Sequence, residues 1–303
     1  MPDQLQFIKA QRAIRYKGAR PGITPREQFL REARHAAFAG ALRTPEGVGI
    51  APAVLGIGDG GVRYAYVDSP PLLSTFVQQS PSLTTAGRRL GAALASLHRM
   101  PTYWIAMEPA PRFVWSPIEL TPASLTVLTS ASLTYIRALQ ASEQLIECLD
   151  RLRIQEVEQT FIHRDATLSN VLASAGAQIS LVDWELSGRG DPAVDVATVI
   201  GDGLWHWLAD ALSEDAEPLG EWINHNHPLF RSFRLLAQAV VSGYQTIGIA
   251  DADKVARFVG VYVLTRVLAE TESRGTFTFR SRLLAHIGKR VVVEPIHLWR
   301  LVG

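Results

Sequence analysis

The chain holds one cysteine, Cys148, in 303 residues, so no intrachain disulfide can form and a cytoplasmic setting is the expectation. Net charge is equally scarce: 30 Lys and Arg face 29 Asp and Glu, giving +1 with a pI near 8.0. With no large field of one sign, neither nucleic acid nor a membrane is expected as partner. Long apolar runs are missing too. The opening MPDQLQFIKAQRAIRYKG has no signal-peptide core, and the apolar stretch Phe258 to Leu268 is short and holds Arg266, which disfavours secretion and membrane spanning. No fixed-period repeat is present. A mild Ser/Thr enrichment from Ser116 to Thr134 reads as a connecting insertion.

What remains is a chain of 47% apolar and 19% charged residues, enough for one large core or two coupled ones. Leu5 to Ala10 is a short apolar run with Lys9 inside it, followed by a Gly/Pro-rich break from Gly18 to Pro25, which reads as strand then loop. A helix is expected from Pro25, capped by Thr24, with Phe29, Leu30, Ala33, Ala36 and Ala37 on its apolar face and Glu32 just off it. Ala51 to Val67 gives two β-rich runs around Gly58-Asp59-Gly60-Gly61, a hairpin signal. After Pro70-Pro71 the pattern turns helical, over Leu83 to Met100 and Leu133 to Leu152, with Cys148 as a buried inert thiol. Two short strands, Thr160 to Ile162 and Ile179 to Val182, interrupt the helices, and helix resumes from about residue 192. The expected fold class is α+β and bilobal: a small, apparently truncated β-rich lobe over residues 1–75 and a mainly helical lobe over 76–303.

Between the two short strands lies FIHRDATLSNVL. It sets His163-Arg164-Asp165 at a strand end with Asn170 five residues after the aspartate, the H-R-D-x-x-x-x-N pattern of kinase loops. Phosphoryl transfer to an alcohol needs a carboxylate at the hydroxyl, oxygen ligands for magnesium and a cation for the phosphates. Asp165 supplies the first, accepting or orienting the hydroxyl proton. Asn170 offers its amide oxygen to the metal, and Asp183, ending the apolar strand ISLVD, is the principal metal ligand after a hairpin through Ala173 to Gln178. Lys9, in the run QFIKA, falls where kinases keep the strand lysine that holds the nucleotide phosphates, and Glu32 matches that lysine's helix partner, a likeness that implies both roles. His163 reads as a loop brace, Asp191 as a helix cap and Asp195 as an acceptor for backbone amides.

With HRDATLSN, LVDWE and GDPAVDVA in place, the chain resembles the aminoglycoside phosphotransferase and choline kinase superfamily, relatives of the protein kinases. The resemblance implies that Asp183 binds metal, that the segment of Asp191 and Asp195 braces the active loop, and that ATP or GTP with Mg²⁺ is used. Arg164 stands where antibiotic kinases commonly carry glycine. WELSGRGDPAVDVATVIGDGLWHWL and HIGKRVVVEPIHLWRLVG look similar to the kinase component of class V lanthipeptide and thioamitide maturation. That second resemblance implies a peptide serine or threonine as acceptor and a lyase as partner protein.

The acceptor stays open between such a peptide and a small molecule such as an antibiotic. No glycine-rich loop precedes Lys9, and GIGDGG (Gly56 to Gly61) reads as a hairpin turn, so a non-catalytic kinase-fold subunit binding peptide or a partner enzyme is the alternative. A small-molecule binder without transfer is the third reading. Trp205, Trp207 and Trp222 are read as core more than acceptor pocket, and His225 and His227 as loop residues rather than a metal pair.

Overall fold

The computed structural model describes residues 6–10, 24–44, 47–58, 61–100, 120, 126, 128–155, 160–176, 178–212, 227–246, 248 and 251–303. Three antiparallel strands open the chain: β1 (Gln6–Ala10), β2 (Val54–Gly58) and β3 (Gly61–Ala65), in spatial order β1-β3-β2. The hairpin expected around residues 58–61 has Gly58 opposite Gly61, with the turn residues 59 and 60 outside the described set. Gly61 must be glycine, because a Cβ there would lie 2.6 Å from the Lys9 carbonyl oxygen and push β3 off β1.

Helix α1 (Pro25–Ala41) joins β1 to β2 in the chain and opens on a capping box: Thr24 accepts from the Glu27 amide while the Glu27 carboxylate returns to the Thr24 amide. Its inner face differs from the one expected. Ala33 and Ala36 are buried as read, but Ala37 is exposed and Glu32 and His35 are buried instead. Polar groups can take core positions when each has a partner, and both do.

Helices α2 (Leu72–Val77) and α3 (Leu83–His98) follow, and α3 buries Leu90, Leu94 and Leu97. The stretch read as continuous helix from Leu133 to Leu152 is two helices, α4 (Ser130–Gln140) and α5 (Glu143–Gln155), broken at Ala141-Ser142. The Leu145 amide donates to the Ser142 hydroxyl at the start of α5. Short strands β4 (Thr160–Ile162), β5 (Val171–Ala173), β6 (Ile179–Leu181) and β7 (Gly188–Gly190) come next. They form two ladders, β5 with β6 and β4 with β7. The rest of the chain contributes α6 (Pro192–Ala211), α7 (Pro228–Gln245), α8 (Ala252–Arg274), α9 (Phe279–Val293) and α10 (Ile296–Val302).

By its contacts the chain divides into two compact units. One comprises Met1–Pro111, Glu158–Val196 and Gln238–Ala250. It holds the three-stranded sheet, α1 and the short hairpins, with Leu72, Phe76, Phe161 and Trp184 fully buried. The other comprises Arg112–Val157, Ala197–Ala237 and Asp251–Gly303 and is helical among its described residues. Its core includes Tyr135, whose hydroxyl donates to the Leu264 carbonyl, and Trp207, which packs on Phe230 and Phe233. Cys148 is buried and free. Trp205 is buried as well, while Trp222 and His225 lie outside the described residues. His227 sits 3.4 Å from the Asp210 carboxylate. Among the described residues no helix is long and apolar enough to cross a membrane.

Candidate active site

Lys9 lies on β1 opposite Val62 of β3. Strand periodicity turns Phe7 and Lys9 to the same side, and both line one cavity of about 400 Å³ together with Glu32, Tyr64, Asn170 and Asp183. At that cavity the Lys9 ammonium meets three carboxylates: Glu32 Oε1 at 2.7 Å, Asp183 Oδ1 at 2.5 Å and Glu185 Oε2 at 3.6 Å. Burial disfavours the Lys9 charge, but the Glu32 and Asp183 carboxylates outweigh it and hold the pKa above the ordinary lysine value. Burial pushes the Glu32 carboxyl up, with Lys9 offsetting part of the rise and Asp183 and Glu185 adding to it.

Asp183 is delivered by β6 and sits with φ of 66° and ψ of 66°. A left-handed aspartate costs about 1–2 kcal/mol, and the next residue explains how it is held. Trp184 is buried, its indole N–H donates to the Leu181 carbonyl, and its ring stacks on Phe161 with centroids 5.8 Å apart. One turn further, the Ser187 hydroxyl donates to the Trp184 carbonyl at 2.5 Å and therefore accepts from His35 Nδ1 at 2.7 Å. Arg31 donates to the Ser187 carbonyl at 2.5 Å. Helix α1, which carries Glu32, is thus tied to the segment that carries Asp183 and Glu185.

The loop after β4 brings Asp165 and Asn170 together. Asn170 Nδ2 donates to the Asp165 carbonyl at 2.9 Å and to Asp165 Oδ2 at 2.8 Å. Two acceptors on that atom fix the amide orientation and leave Oδ1 to a cation. The Val182 amide donates to the Asn170 carbonyl at 2.9 Å, which registers the loop against the chain just before Asp183.

His163 is fully buried and braces this arrangement. The Asp165 amide donates to its Nδ1 at 3.3 Å, so Nε2 carries the proton and donates to the Val182 carbonyl at 3.0 Å. Burial depresses its pKa below the ordinary value, only partly offset by the Asp195 charge. Asp195, itself fully buried, accepts from the His163 and Arg164 amides, each at 2.7 Å. Burial would raise its pKa, yet these bonds and one from His98 hold it below the ordinary carboxylate value. Arg164 has φ of 75°, a left-handed backbone state that favours glycine and strains other residues. The two amide bonds to Asp195 offset that strain. Asp191 caps α6 by accepting from the Ala193 amide at 3.0 Å.

All five residues singled out from the sequence, Lys9, Glu32, Asp165, Asn170 and Asp183, therefore lie in one connected set of contacts. Sequence reasoning gave no role to Glu185, His35, Ser187, His98 or Tyr244. Glu185 alone had a readable signal, two residues beyond Asp183. Magnesium takes oxygen ligands, and the residues present fit it: the Asn170 amide keeps Oδ1 clear of its two donor bonds, and Asp183 lies beside Glu32 and Glu185 with carboxylate oxygens within 4.8 Å of one another, a concentration of negative charge that the Lys9 ammonium offsets in part.

The family model described as Phosphotransferase enzyme family matches residues 19–236. No curated protein matches. Among solved structures, a protein of Ralstonia eutropha JMP134 assigned as an aminoglycoside phosphotransferase has a TM-score of 0.52 at 14% identity, covering 99% of this chain and 87% of that one. A choline kinase from Streptococcus pneumoniae has a TM-score of 0.49 at 14% identity, covering 96% and 86%. A macrolide 2'-phosphotransferase from Brachybacterium faecium has 0.44 at 15%, covering 89% and 81%. At such identities the likeness of the first is one of fold, and it agrees with the mixed α and β architecture described above. Since the family match spans well over half of the 303 residues and takes in the whole loop from His163 to Asp195, the chain belongs to the phosphotransferase enzyme family.

Proposed function

We propose that the protein transfers the γ-phosphoryl group of ATP or GTP to the hydroxyl of a small molecule. The observation that carries this reading is the Lys9 bridge between Glu32 and Asp183 at a cavity that Asn170, bonded to Asp165, also lines. In this role the Lys9 ammonium binds nucleotide phosphate oxygens, and Glu32 fixes its position. The cavity's aromatic walls, among them Phe7 and Tyr64, take the base. Asp165 accepts the proton of the attacking hydroxyl, and the Asn170 contact holds its carboxylate in place. Asn170 and Asp183 would hold the magnesium ion, which when bound supplies neutralising charge to the phosphate oxygens.

A small-molecule acceptor is in keeping with the Ralstonia protein's assignment as an aminoglycoside phosphotransferase. No contact described above favours a peptide acceptor or a lyase partner. The full set of Asp165, Asn170 and Asp183 in mutual register supports an active enzyme over a non-catalytic subunit. The test is incubation with Mg-ATP and separate panels of aminoglycosides, amino alcohols and Ser/Thr peptides, read by a phosphate mass gain on the acceptor. A gain on a peptide alone would move the acceptor class to peptides. No gain on any panel, together with no nucleotide binding, would overturn the reading.

A further inference from the structure

The loop that carries Asp165 hangs on a buried carboxylate, and that carboxylate is itself held from the side away from the loop. Asp195 Oδ2 receives the His163 amide at 2.7 Å and, at 3.0 Å, His98 Nε2 from the last residue of α3. Because Nε2 faces a carboxylate it carries a proton, and the other ring nitrogen meets the Tyr244 hydroxyl at 2.9 Å. The His98 side chain is 3% exposed and Asp195 is 0% exposed; Tyr244 is buried too. The His98 carbonyl in turn accepts the Thr160 hydroxyl of β4 at 2.5 Å, so the histidine is fixed at both its backbone and its ring.

Such a chain has a purpose beyond filling space. A buried carboxylate with only two amide donors is short of hydrogen bonds and would relax or take up a proton. If it protonated, one of its two amide bonds would weaken, and Arg164 would lose part of what keeps it at φ of 75°. Asp165 follows Arg164 directly, so any relaxation there moves its carboxylate.

We propose that His98 and Tyr244 are positioning residues for the transfer reaction: Tyr244 fixes the imidazole of His98, His98 completes the hydrogen bonding of Asp195, and Asp195 thereby holds the backbone of His163 and Arg164 that aims Asp165. Neither residue touches the reacting atoms. The kinetic part of this inference rests on the function proposed above; the structural part does not.

The experiment measures amide hydrogen exchange at His163 and Arg164 in the full-length protein, with transfer kinetics alongside, for wild type, His98→Ala, His98→Gln and Tyr244→Phe. His98→Ala is expected to speed exchange at both amides about tenfold or more relative to core amides of α8 such as Val259 and Val263, as loss of a buried charged-group hydrogen bond implies. It is expected to lower kcat by a similar factor while nucleotide KM stays within about twofold. Glutamine, whose Nε2 can reach the same carboxylate, restores both to within about threefold of wild type, and Tyr244→Phe falls between. If His98→Ala does not fold, Tyr244→Phe against His98→Gln carries the same comparison. Unchanged exchange at the two amides, or equal acceleration at every core amide, overturns the inference. The predicted exchange pattern in a wild-type protein that transfers no phosphate would uphold it and sink the proposed function instead.

Discussion

Lys9 and Asp183 stand 174 positions apart in sequence, yet the lysine Nζ lies 2.5 Å from the aspartate Oδ1. The same ammonium bonds Glu32 at 2.7 Å, with side chains 18% and 7% exposed. Removing the cation leaves the Glu32 carboxylate buried beside two others. Lys9→Met should therefore cost about 1–3 kcal/mol, less than a fully buried pair because water reaches part of the site. The double change Lys9→Met with Glu32→Gln should cost less than the sum of the single changes. Urea denaturation of the four proteins measures this, and additive costs would show that the pair is not coupled.

Asp165 is assigned to the acceptor hydroxyl and not to the nucleotide. Asp165→Asn should lower kcat by about 10²–10⁴ while calorimetry finds nucleotide affinity within a few-fold of wild type. A change in affinity without a change in kcat would remove Asp165 from that role.

The loop was legible in sequence because its chemistry depends on local spacing: Asp165 and Asn170 are five apart and bond directly. Lys9 and Glu32 were legible by residue type and element, and the 2.7 Å contact joins them. The residues that hold this set in place were not legible. His35 on α1 reaches Ser187, and Tyr244 on α7 reaches His98 on α3, 146 positions away. Such pairings follow from how elements pack, which no local pattern records. The inner face of α1 differs from the expected one for the same reason: His35 looks like a surface residue until Ser187 is placed beside it, Glu32 is buried rather than just off the apolar face, and Ala37 looks like core and is exposed.

Helices α3 and α7 meet through glycine. A Cβ on Gly91 would fall 2.1 Å from the Val240 carbonyl oxygen, and one on Gly243 would fall 1.9 Å from that of Arg88. Since backbone must shift to admit a methyl group, Gly91→Ala should destabilise by about 3 kcal/mol, the upper end for overpacking. Gly176→Ala, where the nearest atom is the Ser174 hydroxyl at 3.8 Å, should be near neutral. Thermal melts compare the two. Equal melting temperatures would show that the helices part without cost.

Burial depresses the His163 pKa, which sets a direction for the effect of acid. Below about pH 6.5 the unfolded chain takes up a proton at this histidine that the folded chain refuses. Its contribution is thus complete above that pH and falls as the pH drops towards the folded-state pKa, by at most about 1.4 kcal/mol per pH unit. Denaturation at about pH 7.5 and about pH 5.5 should show the fall, and His163→Gln should show a shallower one. Identical slopes would mean that His163 titrates alike in both states.

The most direct test is transfer itself. With Mg-ATP labelled at the γ-phosphate and a panel of hydroxyl-bearing small molecules, the wild-type protein should move label onto at least one acceptor, and Asp183→Asn should abolish both the transfer and the magnesium dependence of nucleotide binding. Label that moves equally well with Asp183→Asn, or a wild-type protein that neither binds nucleotide nor transfers label to any acceptor, would contradict the account.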